Sequence, residues 1–261
     1  MSADSHTLQA LKHRIARIGE GFDSGEARNF ATGHPDLDAA LDGGLAEGRI
    51  HELFASSVDD APGAIGFAAM LALKVRPGPL LWLRSEKAER SMGQLYVPGF
   101  VELGGEPDRM ILALLPDDKA LLQAAADAAA CSGLGTLVVE FWGKAPLLTL
   151  TASRRLALAA EKSGVTLLLL RIDATPVPSA ATTRWSIASI PSIPLEANAP
   201  GPPLIEIELL RRRTGPSGLR WQMEWNRDER GFRKPALPGA MVALSGDRSA
   251  DPITHGARRS A

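Results

Sequence analysis

The residue types with the most evident chemistry lie in the last third of the chain. Arg211-Arg212-Arg213 runs into the turn Thr214-Gly215-Pro216-Ser217-Gly218, and Arg220-Trp221 follows, with Trp225, Arg227, Arg230, Arg233 and Lys234 close behind. A guanidinium fork matches two phosphate oxygens and an indole stacks on an unpaired base. Arg211, Arg212, Arg213, Arg220 and Trp221 are therefore candidate contacts for single-stranded DNA. Glu206, Glu208, Glu224, Asp228 and Glu229 are interleaved with them, and alternating charge on an edge hairpin also serves to block aggregation. Other reactive types carry weaker patterns. The five histidines, His6, His13, His34, His51 and His255, have no cysteine or acidic partner at ligand spacing, so no metal site is expected. No Gly-x-Ser-x-Gly elbow is present to present a nucleophile. Cys131, the sole cysteine, closes an alanine-rich stretch and reads as a small buried apolar residue. Gly133-Leu134-Gly135 precedes a strand candidate, so it reads as a turn; a dinucleotide fingerprint has to follow a strand and open a helix.

The elements that must position these residues follow from the hydrophobic pattern. Ile50 to Phe54, Leu80 to Leu83, Met110 to Leu115, Leu137 to Phe141 and Val165 to Leu170 are apolar on consecutive residues, the mark of strands buried on both faces. Between them lie Pro62 to Lys74, Asp118 to Cys131 and Pro146 to Lys162, rich in Ala and Leu and long enough for helices. Such alternation predicts an α/β fold with a mostly parallel sheet and helices on both faces. Thr182 to Ser189, Leu204 to Arg212 and Leu219 to Trp225 are strand-like and predict a β-hairpin extension near the C-terminus. Residues 26–235 form the expected core domain. Residues 1–25 are an amphipathic helix and linker, with Leu8, Leu11, Ile15 and Ile18 at helical spacing as a candidate partner contact or as packing on the same chain. Residues 236–261, rich in Pro, Gly, Ser, Arg and Asp, are expected to be a disordered tail.

Composition narrows the functions. The 261 residues are 45% hydrophobic and 23% charged, as in an ordinary globular protein, and 29 basic against 30 acidic side chains leave no global field toward nucleic acid or membrane. No apolar run approaches the roughly 20 residues of a spanning helix. A single cysteine argues against a disulfide scaffold, and a cytoplasmic location is expected.

The run from Ala31 to Phe54 holds Thr32-Gly33, Leu37-Asp38, Leu41, Gly43-Gly44-Leu45, Gly48, Ile50 and Glu52-Leu53 at fixed offsets. Gly43-Gly44 permits a tight turn with positive φ, Gly48 a second, and Ile50 to Phe54 then enters the sheet. This stretch resembles the lead-in to the nucleotide loop of RecA-type proteins, which implies a RecA-like sheet. After that strand the family carries G-x-x-x-x-G-K-S/T, whose amides and lysine hold phosphates. The corresponding residues run from Ala55 through Asp59, Asp60, Pro62 and Gly63 to Ala64, and no lysine or arginine occurs between Arg49 and Lys74. Two carboxylates near a polyphosphate are unfavourable by about 1 kcal/mol per pair even in water-like screening, and Pro62 removes an amide donor. Asp59 or Asp60 is expected to cap the following helix instead, with Pro62 in its first turn. The resemblance further places Glu86 where the family has the glutamate that activates water, and Glu140 where it has a magnesium-orienting aspartate. Without the phosphate loop both read as vestigial carboxylates, of the kind solvent exposure at a strand end also produces. No catalytic residue and no cofactor are expected.

Among RecA relatives that lack this loop, the plan is similar to the ImuA-type proteins of the bacterial inducible mutagenesis cassette. That resemblance implies a non-catalytic accessory factor of the SOS response and translesion synthesis. Its implied partners are an inactive polymerase-like ImuB-type protein, a DnaE-type error-prone polymerase, RecA and single-stranded DNA. Two alternatives stand beside it. One is a SulA-type cell-division inhibitor that binds the tubulin-like division protein, and the other is an ATPase with an atypical phosphate loop.

Overall fold

The computed structural model describes residues 28–235 apart from positions 76, 196, 198 and 200. The segment with Leu8, Leu11, Ile15 and Ile18 and the tail 236–261 lie outside the described residues. In chain order the elements are β1 (Asn29–Phe30), α1 (Pro35–Ala40), β2 (Leu45–Ala46), β3 (Ile50–Ala55), α2 (Ala61–Lys74), β4 (Leu80–Ser85), α3 (Glu86–Met92), α4 (Val97–Glu102), β5 (Met110–Leu115), α5 (Asp118–Ala129), β6 (Thr136–Trp142), α6 (Leu150–Ser163), β7 (Thr166–Ile172), β8 (Thr183–Ile190), β9 (Leu204–Arg212), β10 (Leu219–Asn226) and β11 (Gly231–Arg233).

Nine strands form one sheet in the order β11-β10-β9-β8-β3-β7-β6-β4-β5. The stretch from β8 to β5 is parallel throughout, and β9, β10 and β11 extend it antiparallel. Strands β3, β6 and β7 are buried along their whole length because helices cover both faces. On one face Phe67, Ala68 and Leu71 of α2 pack on Leu53, Leu170, Trp185 and Ile207. On the other, Leu121 and Ala125 of α5 and Leu156 and Ala160 of α6 pack on Ile50, Leu137, Val139, Leu167 and Leu169. Asp117 caps α5 by accepting from the Ala120 amide at 2.8 Å, and Thr149 caps α6 by accepting from Ala152 at 3.2 Å.

Several marked residues of the lead-in have a mechanical role. Asp38 accepts from the Thr32 amide at 2.8 Å, the Thr32 hydroxyl at 2.7 Å and the Gly33 amide at 3.0 Å, locking the start of α1. Leu37, Leu41 and Leu45 are buried beneath it. Gly44 has φ +116°, and a Cβ there would lie 2.1 Å from the Phe30 carbonyl oxygen, so only glycine lets β1 and β2 pair.

Two expectations need correction here. Met110 to Leu115 is a strand but not a buried one: β5 is the sheet edge among the described residues, with Ile111, Leu112 and Leu114 exposed. Cys131 is exposed, since the chain turns away from the core after α5. The short strand β11 and helices α3 and α4 are too brief to show a period in the sequence.

Candidate functional site

The loop from β3 to α2 stands where a RecA-type protein grips phosphate. Three of its amides are bonded within the loop: that of Ala61 donates to Val58 O at 3.0 Å, that of Ala64 to Asp60 O at 3.0 Å, and that of Asp60 to Ser57 Oγ at 3.3 Å. Pro62 lies in the first turn of α2 and has no amide hydrogen. Asp60 occupies the N-cap position, yet its side chain makes no cap bond, a departure from the expected role. Its Oδ2 accepts from Ser57 Oγ at 2.7 Å and its Oδ1 from the Ser189 amide at 3.0 Å. Asp60 thus ties the loop to β8. Gly63 allows that approach, because a Cβ there would lie 2.5 Å from Ser189 Oγ. Ala55 is buried at the end of β3, and Asp59 is exposed.

The two carboxylates singled out by the resemblance sit in opposite environments. Glu86 opens α3, is half exposed and pairs with Arg90 at 3.3 Å. Glu140 is 0% exposed, which overturns the reading of a solvent-facing acid at a strand end. Its Oε1 accepts from Arg84 Nη2 at 3.1 Å and Trp142 Nε1 at 2.6 Å, and its Oε2 accepts from Trp82 Nε1 at 3.0 Å. Arg84 also donates from Nη1 to Gly93 O at 3.0 Å, so the β4–β6 pair is anchored to the end of α3. This cluster orders the sheet beneath α2.

The basic run does not act as one patch, because alternate strand residues face opposite sides. Arg212 turns inward, pairing with Asp42 at 2.9 Å and donating to Ala40 O and Thr214 O. Arg211 and Arg213 line a cavity of about 530 Å³ with Arg49 and Arg154, walled by Leu150 and Leu158 of α6. Arg49 pairs with Glu161 at 2.7 Å, whereas Arg154, Arg211 and Arg213 are exposed and make no side-chain bond among the described residues. Arg220 belongs elsewhere, pairing with Glu208 at 2.8 Å across β9 and β10. Trp221 is half-buried and packs on Trp185 with ring centroids 6.1 Å apart, outside the cavity that Arg211 and Arg213 line. Arg154 escaped sequence reasoning because it lies on an amphipathic helix where an arginine signals only a solvated face; only the fold brings it beside Arg211 and Arg213.

A buried polar chain runs across β3 and β8. Trp185 Nε1 donates to Thr183 Oγ1 at 2.7 Å, Thr183 pairs with His51 Nδ1 at 2.7 Å, and His51 Nε2 donates to Ala46 O at 2.8 Å. Burial pulls the His51 pKa down to about 4, so the ring is neutral at pH 7. On the other face Glu52 accepts from Arg184 Nε at 2.8 Å. Among the described residues, no helix is long and apolar enough to cross a membrane. Nor do three or more His, Cys, Asp or Glu side chains there converge as metal ligands.

No protein-family model matches the sequence, and no curated protein sequence matches it. Among solved structures the chain is similar to the crystal structure of the RadB recombinase, with a TM-score of 0.55 and 17% identity over 79% of this chain and 100% of that one. Likeness at this identity establishes the architecture alone, and the architecture is RecA-like.

Proposed function

We propose that the protein is a non-catalytic RecA-like accessory factor of damage-induced, error-prone translesion DNA synthesis, acting through contacts with other macromolecules. The observation that carries this reading is the β3–α2 loop. It has no lysine, its Asp60 carboxylate and several of its amides are bonded within the protein, and Pro62 stands where a further amide would be. A phosphate there would meet carboxylates in place of a cation. The process comes from the similarity of the overall plan, a RecA-type lead-in without the phosphate-loop lysine, to ImuA-type proteins, and a RecA-like fold shared with a recombinase agrees with a role in DNA transactions. The proposed partners are an ImuB-type protein, a DnaE-type polymerase and RecA. Single-stranded DNA would reach the chain at Arg154, Arg211 and Arg213.

Isothermal titration of the full chain with ATP and magnesium is expected to show no binding up to millimolar nucleotide. Micromolar binding overturns the non-catalytic reading and favours the atypical ATPase. Co-purification with the polymerase-like protein tests the role itself. Failure to bind it, together with a complex formed with the tubulin-like division protein, sinks the mutagenesis assignment.

A further inference from the structure

The carboxyl ends of β3, β6 and β7 border a second cavity, of about 680 Å³, between the segment that leads into α6 and the segment that follows β7. Arg171 reaches it from the sheet, on the same face of β7 as Leu167 and Leu169. It is 3% exposed, and neither its Nε nor its Nη1 has a hydrogen-bond partner. Its guanidinium carbon lies 5.6 Å from the centroid of the Phe54 ring, which Arg184 approaches at 5.8 Å. Glu52 and Asp118 are the carboxylates whose fields reach Arg171, yet neither forms an ion pair with it, and Glu52 is committed through one oxygen to Arg184. Burial lowers the Arg171 pKa, against the raising fields of Glu52 and Asp118.

A desolvated guanidinium without a bonded acceptor is an expensive arrangement for a fold to keep. At the edge of a cavity, a ligand can supply the acceptor. Two further features of the cavity favour an anion. Lys144 lines it, and so does Thr149, the cap of the fourteen-residue helix α6, whose amino end carries positive partial charge. Asp173 is the opposing charge on the rim. Leu148, Leu150 and Val177 form apolar wall, and the volume is that of a small-molecule site. One buried guanidinium, an acid on the rim and apolar walls suit a single oxyanion head on an apolar body better than a polyanionic strand.

We propose that this cavity binds a small organic anion, with a carboxylate or phosphate group paired to Arg171 and an apolar body against Leu148, Leu150 and Val177. Thermal unfolding of the full chain at pH 7 with hexanoate, hexyl phosphate or inorganic phosphate, each against chloride at equal ionic strength, provides the test. Saturating hexanoate or hexyl phosphate is expected to raise Tm by about 2–5 °C. Arg171→Met, which removes the charge and keeps the stem, is expected to fold and to abolish that shift. Val177→Glu, a change at an exposed position on the rim, is expected to reduce it without lowering Tm in chloride. Absence of any anion-specific shift in the unmodified protein overturns the proposal, as does a shift that survives both substitutions. Equal shifts from inorganic phosphate overturn the apolar part of the site. If the small anions fail and a thymidine oligonucleotide is what Arg171→Met releases, the cavity serves a strand and the small-anion site is wrong.

Discussion

Both carboxylate oxygens of Glu140 are held by donors from three side chains, in a position without access to water. Removing the charge strands Arg84, itself 2% exposed, beside a neutral group in low dielectric. Breaking a buried pair in this way costs about 3–5 kcal/mol, so Glu140→Gln is expected to lower the unfolding free energy by that amount, read as a lower urea midpoint at an unchanged m-value. A vestigial acid with no structural part to play would show under about 0.5 kcal/mol. His51 provides a second residue-scale effect, set by pH. Its folded pKa is about 4 against an ordinary value of 6.5, so as pH falls the unfolded chain takes up the proton first. Stability from this group is therefore intact above pH 6.5 and declines between 6.5 and 4, with a loss of about 3 kcal/mol at the lower end. Urea titrations at intervals across that window check it. His51→Gln should flatten the slope there while leaving the acid-side behaviour of the carboxylates in place.

At the scale of elements, β5 carries the clearest liability. Among the described residues it closes one end of the sheet with Ile111, Leu112 and Leu114 exposed, pairing only with β4. A flat apolar edge pairs with other chains. Ile111→Lys combined with Leu114→Lys is expected to reduce concentration-dependent association in sedimentation velocity while leaving Tm within about 2 °C, because neither side chain is in the core. An unchanged sedimentation profile, or a folded protein several degrees less stable, contradicts this. The same strand shows where sequence patterning stops informing. Met110 to Leu115 is as apolar as Leu137 to Phe141, and period and composition do not separate a central strand from an edge; strand order does. The Ala31 to Phe54 run was legible because its glycines answer local geometry, as Gly44 does against Phe30. The Glu140 cluster was illegible because Trp82 and Arg84 belong to a neighbouring strand 58 and 56 residues away in sequence. Arg171 was hidden inside an apolar run whose other members fill the core.

On the scale of the whole molecule, a net charge of −1 supplies no general attraction for nucleic acid, so any affinity must come from a local surface. The fold makes one from two elements, β9 and α6, and the segment after β9: Arg211 and Arg213 beside Arg154 of α6, near the paired Arg49. It excludes Arg212, which joins the β9 end to Asp42 and Ala40, and Trp221, which lies against Trp185. This separation makes the DNA contact testable against a plain loss of fold. Arg154→Glu with Arg211→Glu and Arg213→Glu is expected to weaken a fluorescent thymidine oligonucleotide at least tenfold at low salt, without lowering Tm. With about three phosphates engaged, log K for the unmodified protein should fall against log salt with a slope near −2, and the triple variant should lose most of that slope. Arg212→Glu should do the reverse, lowering Tm through its lost bonds to Asp42 and Ala40 while the salt slope stays. If the unmodified protein shows no anisotropy change at low salt, the groove does not bind DNA, and the accessory role rests on protein contacts alone. If Arg212→Glu and the triple variant lose binding equally, the alternation of β9 does not sort these arginines by function, and the face assigned to the strand is wrong.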